Sequence, residues 1–407
     1  MAPNVTEAPS SRPAPDPSVS LARCSSYDAA AVAAAVDDLL RPWDGLRALI
    51  QPGQFVLIKP NMLAGARPEE GVTAHPALVR ELTRRVLSLG ARAVVGDSPS
   101  REKMPAAARR SGLADALADL RVDIIDLDDP VEAWNPPPTR IKRFRVSRKA
   151  VEADVIINIA KLKTHAQMYL TLGVKNMFGC VCGMEKAIWH AKAGHDRDQF
   201  ATMLLEVYRY LRPALTILDG IQGMDGKGPA GGRVRQLGLL AASADAVALD
   251  RVICEIIGAQ PSKLRTCALA AELNAGQADL NHIPIIGQSI ASLKVPDFQI
   301  LPMRHLGFGR IPRAIAAAAR NALSDRPAVN PHACIRCGAC VDHCPVRAMQ
   351  LTGSAADGGR IVIDYRACIR CYCCLEICPS SAIDVGYGWA YRFFARPGAK
   401  LAKAGGK

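Results

Sequence analysis

Two cysteine runs in the last quarter of the chain share one spacing. Each run reads C-x2-C-x2-C-x3-C-P, the first beginning at Cys334 and the second 34 residues later at Cys368. Thiolates at this spacing bind [4Fe–4S] clusters, because three cysteines of a run hold one cube and the fourth reaches the neighbouring cube. The repeat therefore predicts two [4Fe–4S] clusters and a redox role.

Exchange of the fourth ligand assigns every cysteine of the two runs. The first cluster takes Cys334, Cys337, Cys340 and Cys378, and the second takes Cys368, Cys371, Cys374 and Cys344. One further cysteine, Cys373, aligns with Ala339 of the first run. We therefore predict that Cys373 is not a ligand.

Zinc is the alternative metal for closely spaced cysteines. Zinc ribbons use two C-x2-C pairs, but they need neither a third cysteine at the next step nor a following Cys-Pro, and both occur twice here. Residues 329–385 resemble the bacterial-type ferredoxins with two [4Fe–4S] clusters. That resemblance implies a small α+β fold.

A second group of polar residues lies between residues 21 and 300, where short β-branched runs alternate with helical patterns. This alternation predicts an α/β domain, a mostly parallel sheet with flanking helices. Predicted strands at residues 55–58, 93–95, 155–159 and 215–218 are followed by Lys59, Asn61, Asp97, Lys161, Lys163, His165 and Asp219. Because strand carboxyl ends line the ligand crevice of such sheets, we expect these side chains to form one cleft for an anionic small molecule.

Further candidates follow this group along the chain. Lys175 and Asn176 are predicted to bind the ligand, and His165 or His190 to supply protons. Asp97 and Asp219 would orient these bases or a metal. A metal site built from Cys180, Cys182, His190 and His195 is a weaker alternative, since its spacing is nonstandard. The alternative without a functional site is that these residues are polar only because loops at strand ends lie at the protein surface.

The segment 226–231 matches G-x-G-x-x-G but is not read as a dinucleotide site. It contains Pro229 and leads toward another strand rather than into a helix. We interpret it as a glycine loop carrying Lys227, Arg233 and Arg235 that could close over the cleft.

Five segments of the large domain resemble the DUF362 family. They are Val56-Leu-Ile-Lys-Pro-Asn61, Gly96-Asp-Ser-Pro99, Asn158-Ile-Ala-Lys-Leu-Lys-Thr-His165, Leu172-Gly-Val-Lys-Asn-Met-Phe-Gly179 and Leu218-Asp-Gly220. The resemblance covers most of residues 21–300 and implies an α/β fold, with a ferredoxin module after it. It implies no settled reaction. A distant likeness to the lactate racemase family also exists.

The rest of the chain adds tails, a linker and a net charge of +13. Residues 1–20 are predicted to be a disordered tail, 301–328 a connecting helix or linker, and 386–407 a basic aromatic tail that touches a partner or packs loosely. No segment has the length and apolarity of a transmembrane helix, and no signal peptide is visible. Thiolates that bind iron need a reducing compartment, so we expect a cytoplasmic protein. No nucleic-acid module is visible, so nucleic acid is not an expected partner.

These observations favour an iron–sulfur oxidoreductase. The ferredoxin domain would accept electrons from a redox partner protein and pass them to an anionic ligand held by Lys59, Lys161, Lys163 and Lys175. Two other functions fit the same residues: a non-catalytic electron carrier whose large domain binds a ligand or partner, and iron–sulfur cluster or metal handling.

Overall fold

A computed structural model of the protein describes residues 5–7, 14–135, 139–301, 319, 322–353 and 358–386. The chain divides into two compact units, Met1–Leu301 and Pro302–Lys407. Each unit has its own sheets and is described by itself.

The first unit is built on a nine-stranded sheet within its described residues. Its strands are β2 (Val19–Arg23), β3 (Phe55–Pro60), β4 (Arg92–Asp97), β5 (Asp123–Asp126), β8 (Val155–His165), β9 (Tyr169–Thr171), β10 (Leu215–Asp225), β11 (Arg233–Ser243) and β12 (Ile285–Gly287). The order is β12-β2-β11-β10-β8-β3-β4-β5, and β9 pairs with β8. The strands from β10 to β5 in this order all run parallel. A small second sheet joins β1 (Val5–Glu7), β6 (Pro130–Trp134) and β7 (Arg143–Ser147). This mixed but mostly parallel sheet confirms the predicted fold class.

Helices cover both faces of the large sheet. They are α1 (Ala29–Leu40), α2 (Pro76–Ser88), α3 (Met104–Arg110), α4 (Leu113–Leu117), α5 (Arg148–Glu152), α6 (Gly173–Asn176), α7 (Glu185–Ala193), α8 (Arg197–Leu211), α9 (Ala246–Ile256) and α10 (Arg265–Ala270). Leu78, Val79 and Leu82 recur at helical spacing, so α2 buries one stripe against β3, β8 and β10 in the same core as α1. Asp196 and Asp245 cap α8 and α9 by accepting backbone N–H groups of the first turn.

Two expectations about the first unit need correction. Strand β2 begins at Val19 and its first four residues are buried, so the sheet starts before residue 21 and the predicted tail is too long. Most of the remaining tail, residues 1–4 and 8–13, lies outside the described residues. Strands β8 and β10 continue six and seven residues beyond the predicted ends at Ile159 and Leu218. The lysines and the aspartate that were placed after these strands therefore lie inside them.

The second unit has a two-fold repeat that mirrors the sequence repeat. Its strands are β13 (Arg326–Val329), β14 (Met349–Thr352), β15 (Arg360–Ile363) and β16 (Ile383–Gly386), and its helices are α11 (Ala339–Asp342) and α12 (Cys373–Ile377). Strand β13 pairs with β16, and β14 pairs with β15. Each pair thus joins a strand of the first copy to a strand of the second. This arrangement agrees with the small α+β fold that the ferredoxin resemblance implied.

Two of the predicted segments cannot be compared with the structure. The predicted connecting helix lies largely outside the described residues, as does the basic aromatic tail beyond Gly386. Within the described residues, none of the helices has the length and apolarity needed to span a bilayer.

Candidate functional site

The cysteines of the two runs converge within the second unit. One cavity is lined by Cys334, Cys337 and Cys340 of the first run and by Cys378 of the second, together with Gly338 and Pro379. Four soft thiols around one concavity are the donor set that an iron–sulfur cluster requires. The residues present therefore fit a [4Fe–4S] cluster, and the fourth thiol at the cavity belongs to the other run. The ligand assignment itself remains a prediction.

The remaining four predicted ligands also lie near one another. Burial raises the pKa of the Cys368 thiol to about 11, and Cys371 and Cys344 act on it electrostatically. Burial likewise raises the pKa of Cys374 well above its usual value, with Cys371, Cys368 and Cys344 among its charged neighbours. A thiolate is disfavoured at such buried positions unless a cation or metal compensates its charge.

Backbone geometry repeats around the two cysteine groups. Arg336 and Arg370, 34 residues apart, both have positive φ, at 59° and 57°. The amide of Ala348 donates to Cys344 Sγ and the amide of Ala382 donates to Cys378 Sγ, each over 3.2 Å. An N–H group aimed at sulfur stabilises its anionic form, so both fourth ligands are prepared for metal binding in the same way.

Cys373 lies beside the ligands without lining the cavity of the first group. Its side chain hydrogen-bonds to that of Cys371, which lowers the pKa of Cys371. It begins helix α12, whereas the aligned Ala339 begins α11. Its role as a non-ligand remains a prediction.

In the first unit, the pleat of the sheet divides the predicted cleft. Lys161 and Lys163 alternate with Leu162 on β8, so both lysines point to the face that α1 and α2 cover. Asp219 of β10 is in register with Lys161 and shares that face. Lys59 of β3 is in register with Asn158, whose side chain points to the opposite face. The predicted residues therefore form two groups at one edge of the sheet rather than one cleft.

The first group is a hydrogen-bonded network around Asp219. Lys161 Nζ donates to Asp219 Oδ2 and to the Tyr27 hydroxyl, each over 2.9 Å, and Tyr27 donates to Asp219 Oδ1 over 2.6 Å. The amide of His75 also donates to Asp219 Oδ2. Burial, followed by the charge of Asp219, raises the pKa of Tyr27 well above its usual value, while burial lowers that of Lys161. Asp219 is thus an internal counter-ion and holds its neighbours in place.

The ring of His75 stacks on that of Tyr27, one member of this network. The ring centroids lie 3.5 Å apart and the planes differ by 6°. His75 Nδ1 accepts a hydrogen bond from the Ala77 amide, which caps α2 and leaves the proton of the neutral ring on Nε2. Burial lowers the pKa of His75 to about 4, so the ring is neutral at pH 7.

The second group is the ion pair of Lys59 and Asp97. Lys59 Nζ lies 2.9 Å from Asp97 Oδ1, and both side chains are buried. Asp97 also accepts from the amides of Met62 and Ser98. The backbone at Gly179 passes directly over the pair, because a Cβ there would lie 2.0 Å from Asp97 Oδ1. Lys59 is therefore held by the protein's own carboxylate.

A chain of side-chain amides begins at Lys163. Lys163 Nζ donates to Asn61 Oδ1 over 2.9 Å and to the Val72 carbonyl over 2.5 Å. Asn61 then donates to Asn176, and Asn176 donates to Asn158 Oδ1 over 2.8 Å. Lys163 thus donates to the amide oxygen of Asn61 and to a backbone carbonyl.

The remaining predicted residues are placed as follows. His165 Nδ1 accepts from the amides of Gln167 and Met168, so this ring closes the turn after β8. His190 is buried and stacks on Phe200, with centroids 4.4 Å apart, and meets Phe178 edge-on. Lys175 lies half-buried in α6. The catalytic roles of these residues remain predictions.

The role of the glycine loop as a cover for the cleft remains a prediction. The loop connects β10 to β11, and Arg233 and Arg235 both pair with Asp225 over 2.9 Å. Arg235 also pairs with Asp297. These contacts fix the base of the loop, so the two arginines stabilise the β10–β11 hairpin.

Lys186 is a further lysine at this edge. Its Nζ donates to the carbonyl of Ser98, the residue after Asp97. Burial lowers its pKa to about 8, while Asp97 opposes the shift. Burial raises the pKa of Cys180 and of Cys182 to about 12, so these thiols are protonated at neutral pH.

Sequence reasoning missed Tyr27 and His75 and gave Lys186 no role. Tyr27 lies before α1, far from any other candidate in sequence, and nothing in its surroundings signals a partner. His75 did carry a signal, since it directly precedes Pro76 and an N-cap residue was needed there.

Comparisons with known proteins bear on both units. A family model described as a domain of unknown function, DUF362, matches residues 56–255, and a 4Fe-4S dicluster domain matches residues 326–379. The thylakoid-associated protein sll1697 of Synechocystis sp. is 40% identical over 256 residues, which are 63% of this chain and 79% of that protein. These matches confirm both resemblances.

Two solved structures show weaker likeness. The lactate racemase apoprotein of Thermoanaerobacterium thermosaccharolyticum has a TM-score of 0.39 at 12% identity, and the chain spans 55% of it. A Thermotoga maritima protein has a TM-score of 0.37 at 10% identity, and the chain spans 59% of it. The two family models and the Synechocystis relative, rather than these two structures, carry the family assignment. The chain belongs to the DUF362 family and carries a ferredoxin-type 4Fe–4S domain.

Proposed function

We propose that this protein is an electron-transfer oxidoreductase. Two [4Fe–4S] clusters receive electrons from a redox partner protein, and the electrons reduce an anionic small molecule bound at the polar edge of the α/β sheet. The observation that carries the redox role is the cavity lined by Cys334, Cys337, Cys340 and Cys378, which collects thiols from both runs.

Lys186 is the best-supported group for the anion. Lys59 and Lys161 pair with buried aspartates, whereas Lys186 donates to the carbonyl of Ser98. A lysine near neutral oxygens keeps more of its field for a ligand than one that is paired with a carboxylate. His75 beside the Asp219 network is neutral at pH 7, so it offers a hydrogen-bond donor rather than a transferable proton.

The proposed compartment is a reducing one such as the cytoplasm. None of the 14 cysteines, all of which lie among the described residues, forms a disulfide, which agrees with a protein that keeps its thiolates for metal. The printed name of the Synechocystis relative links that protein to thylakoids, so peripheral association with a membrane is part of the proposal.

Anaerobic purification tests the cofactor. We expect about eight irons per chain, the content of two [4Fe–4S] cubes, and absorption that bleaches on reduction. Iron near zero, or stoichiometric zinc instead, would overturn the electron-transfer role.

Reoxidation kinetics test the ligand. Reduced protein is mixed with carboxylates and phosphorylated metabolites, and the ligand that reoxidises it is tested against Lys186→Met. We expect this variant to raise the half-saturating concentration about ten-fold. Lys192→Met is the matched control, since Lys192 is exposed on the same helix. Equal behaviour of the two variants would exclude Lys186 from the site.

The buried ion pairs favour a second candidate function. Because Lys59–Asp97 and Lys161–Asp219 are neutralised internally, they fit a rigid scaffold as well as a catalytic cleft. In that case the protein is an electron carrier whose large domain binds a partner. Fast electron transfer to a protein acceptor, with no reoxidation by any small molecule, would support the carrier.

A further inference from the structure

The two copies of the cysteine module share a backbone but differ in exposure. In the first ligand loop, Ile335 is 64% exposed, and both Arg336 and Cys337 are exposed. In the second loop, Arg370 and Cys371 are buried and Tyr372 is only 2% exposed. The internal repeat therefore does not make the two clusters equivalent toward solvent.

The two loops also differ at one aligned position. Gly338 in the first copy has φ of 79°, and the aligned Tyr372 adopts φ of 61°. This left-handed conformation strains a tyrosine, whereas glycine adopts it freely. The second copy thus carries a large buried side chain at the position where the first copy has none.

Exposure of one ligand loop decides where an external partner can exchange electrons. Electron transfer between proteins slows steeply as the redox centres move apart, so the partner must approach a cluster closely. Cys337 is the exposed member of the first ligand set, and Ile335 beside it offers an apolar contact of the kind found at the centre of interfaces.

Charge defines the class of partner. Arg336 and Arg347 are exposed on the first copy, and the chain as a whole carries a net charge of +13. Such a surface accelerates encounter with an acidic protein and repels a basic one.

We propose that the loop Ile335–Cys337 is the docking site for a small acidic redox protein, which exchanges electrons with the cluster held by Cys334, Cys337, Cys340 and Cys378. One electron leaves the partner's redox centre and this cluster gains it, and no bond in the chain is made or broken. This inference rests on the proposed electron-transfer function and adds the place and chemistry of the partner.

Stopped-flow reduction by an acidic flavodoxin hydroquinone tests the docking site. We expect Ile335→Asp and Arg336→Glu to lower the second-order rate constant at least ten-fold, and added salt to slow the unsubstituted protein. Val362→Asp is the matched control and should stay within about two-fold. Val362 is 40% exposed in the same unit, and strand alternation turns it away from Ile361, which lines the cavity.

Two measurements distinguish a failure of the docking site from a failure of the proposed electron-transfer function. Iron content and reduction by a photoreduced deazaflavin, a small donor that needs no docking site, should be unchanged in all variants. If Ile335→Asp loses iron, Ile335→Asn replaces it. Unchanged flavodoxin rates in both loop variants, an equal loss in Val362→Asp, or no reduction of the unsubstituted protein by flavodoxin would each overturn the docking site. Absent iron would instead overturn the electron-transfer role.

Discussion

The cysteine module and the polar edge of the sheet differ in what surrounds their ionisable side chains. In the module, thiols from two runs surround a shared cavity, and burial raises the pKa of Cys340 to about 11. At the sheet edge, Lys59 and Lys161 each contact an aspartate of the protein itself. Thiols that converge on one cavity suit an added metal cofactor, whereas oppositely charged groups that neutralise one another hold a scaffold in place. Residue types alone do not distinguish these two cases.

The largest expected effect lies in the module. Cys374→Ala should lower the iron content from about eight to about four per chain, because one cube loses a ligand. Cys373→Ala should keep its iron, since Cys373 is the cysteine that the repeat leaves over. Iron analysis of the two variants checks the assignment, and equal losses would show that Cys373 also serves as a ligand.

At the sheet edge, the strongest effect should come from Asp219. Asp219→Asn leaves Lys161 buried without a counter-charge and should lower the free energy of unfolding by about 3–5 kcal/mol. Urea unfolding followed by tryptophan fluorescence measures the change. The double variant Lys161→Met/Asp219→Leu should recover much of the loss, because no lone charge remains buried.

The matched control for this pair is a surface pair. Arg41 and Asp38 form an exposed salt bridge, so Asp38→Asn should cost at most about 1 kcal/mol. If Asp219→Asn were equally mild, the Lys161–Asp219 pair would not hold the scaffold, and the contrast between the two regions would fail.

The smallest expected effect is a pH dependence from His75. Its folded pKa, about 4, lies below the usual 6.5, so the unfolded chain binds the extra proton between these values. Stability should therefore fall as the pH drops from about 6.5 to 4. His75→Asn keeps a capping side chain and removes the titration, so its melting temperature should fall less over the same range. Identical pH profiles would exclude His75 as the cause.

Much of the fold could be read from local patterns. The spacing of Leu78, Val79 and Leu82, with Pro76 at the first position, predicts a helix over residues 76–89, and the structure shows α2 over Pro76–Ser88. The ends of β8 and β10 were missed, because polar Lys161 and Asp219 interrupt the apolar runs that mark a buried strand. Their burial depends on a partner supplied by another strand, which no local window contains.

The features of the candidate site likewise fall into those that the sequence predicts and those that only the structure reveals. The repeat at Cys334 and Cys368 predicts the ligand types and their pairing, because the geometry of a cluster is encoded in spacings of two and three residues. The tertiary structure alone decided that Lys161 meets Tyr27, a partner 134 residues away, and that the pleat separates Lys59 from Lys161. It also decided that two nearly identical cysteine loops differ in exposure. The sequence by itself determines features that depend on short spacings, such as the cysteine repeat. The burial of a side chain and its counter-charge depend on distant segments that only folding brings together.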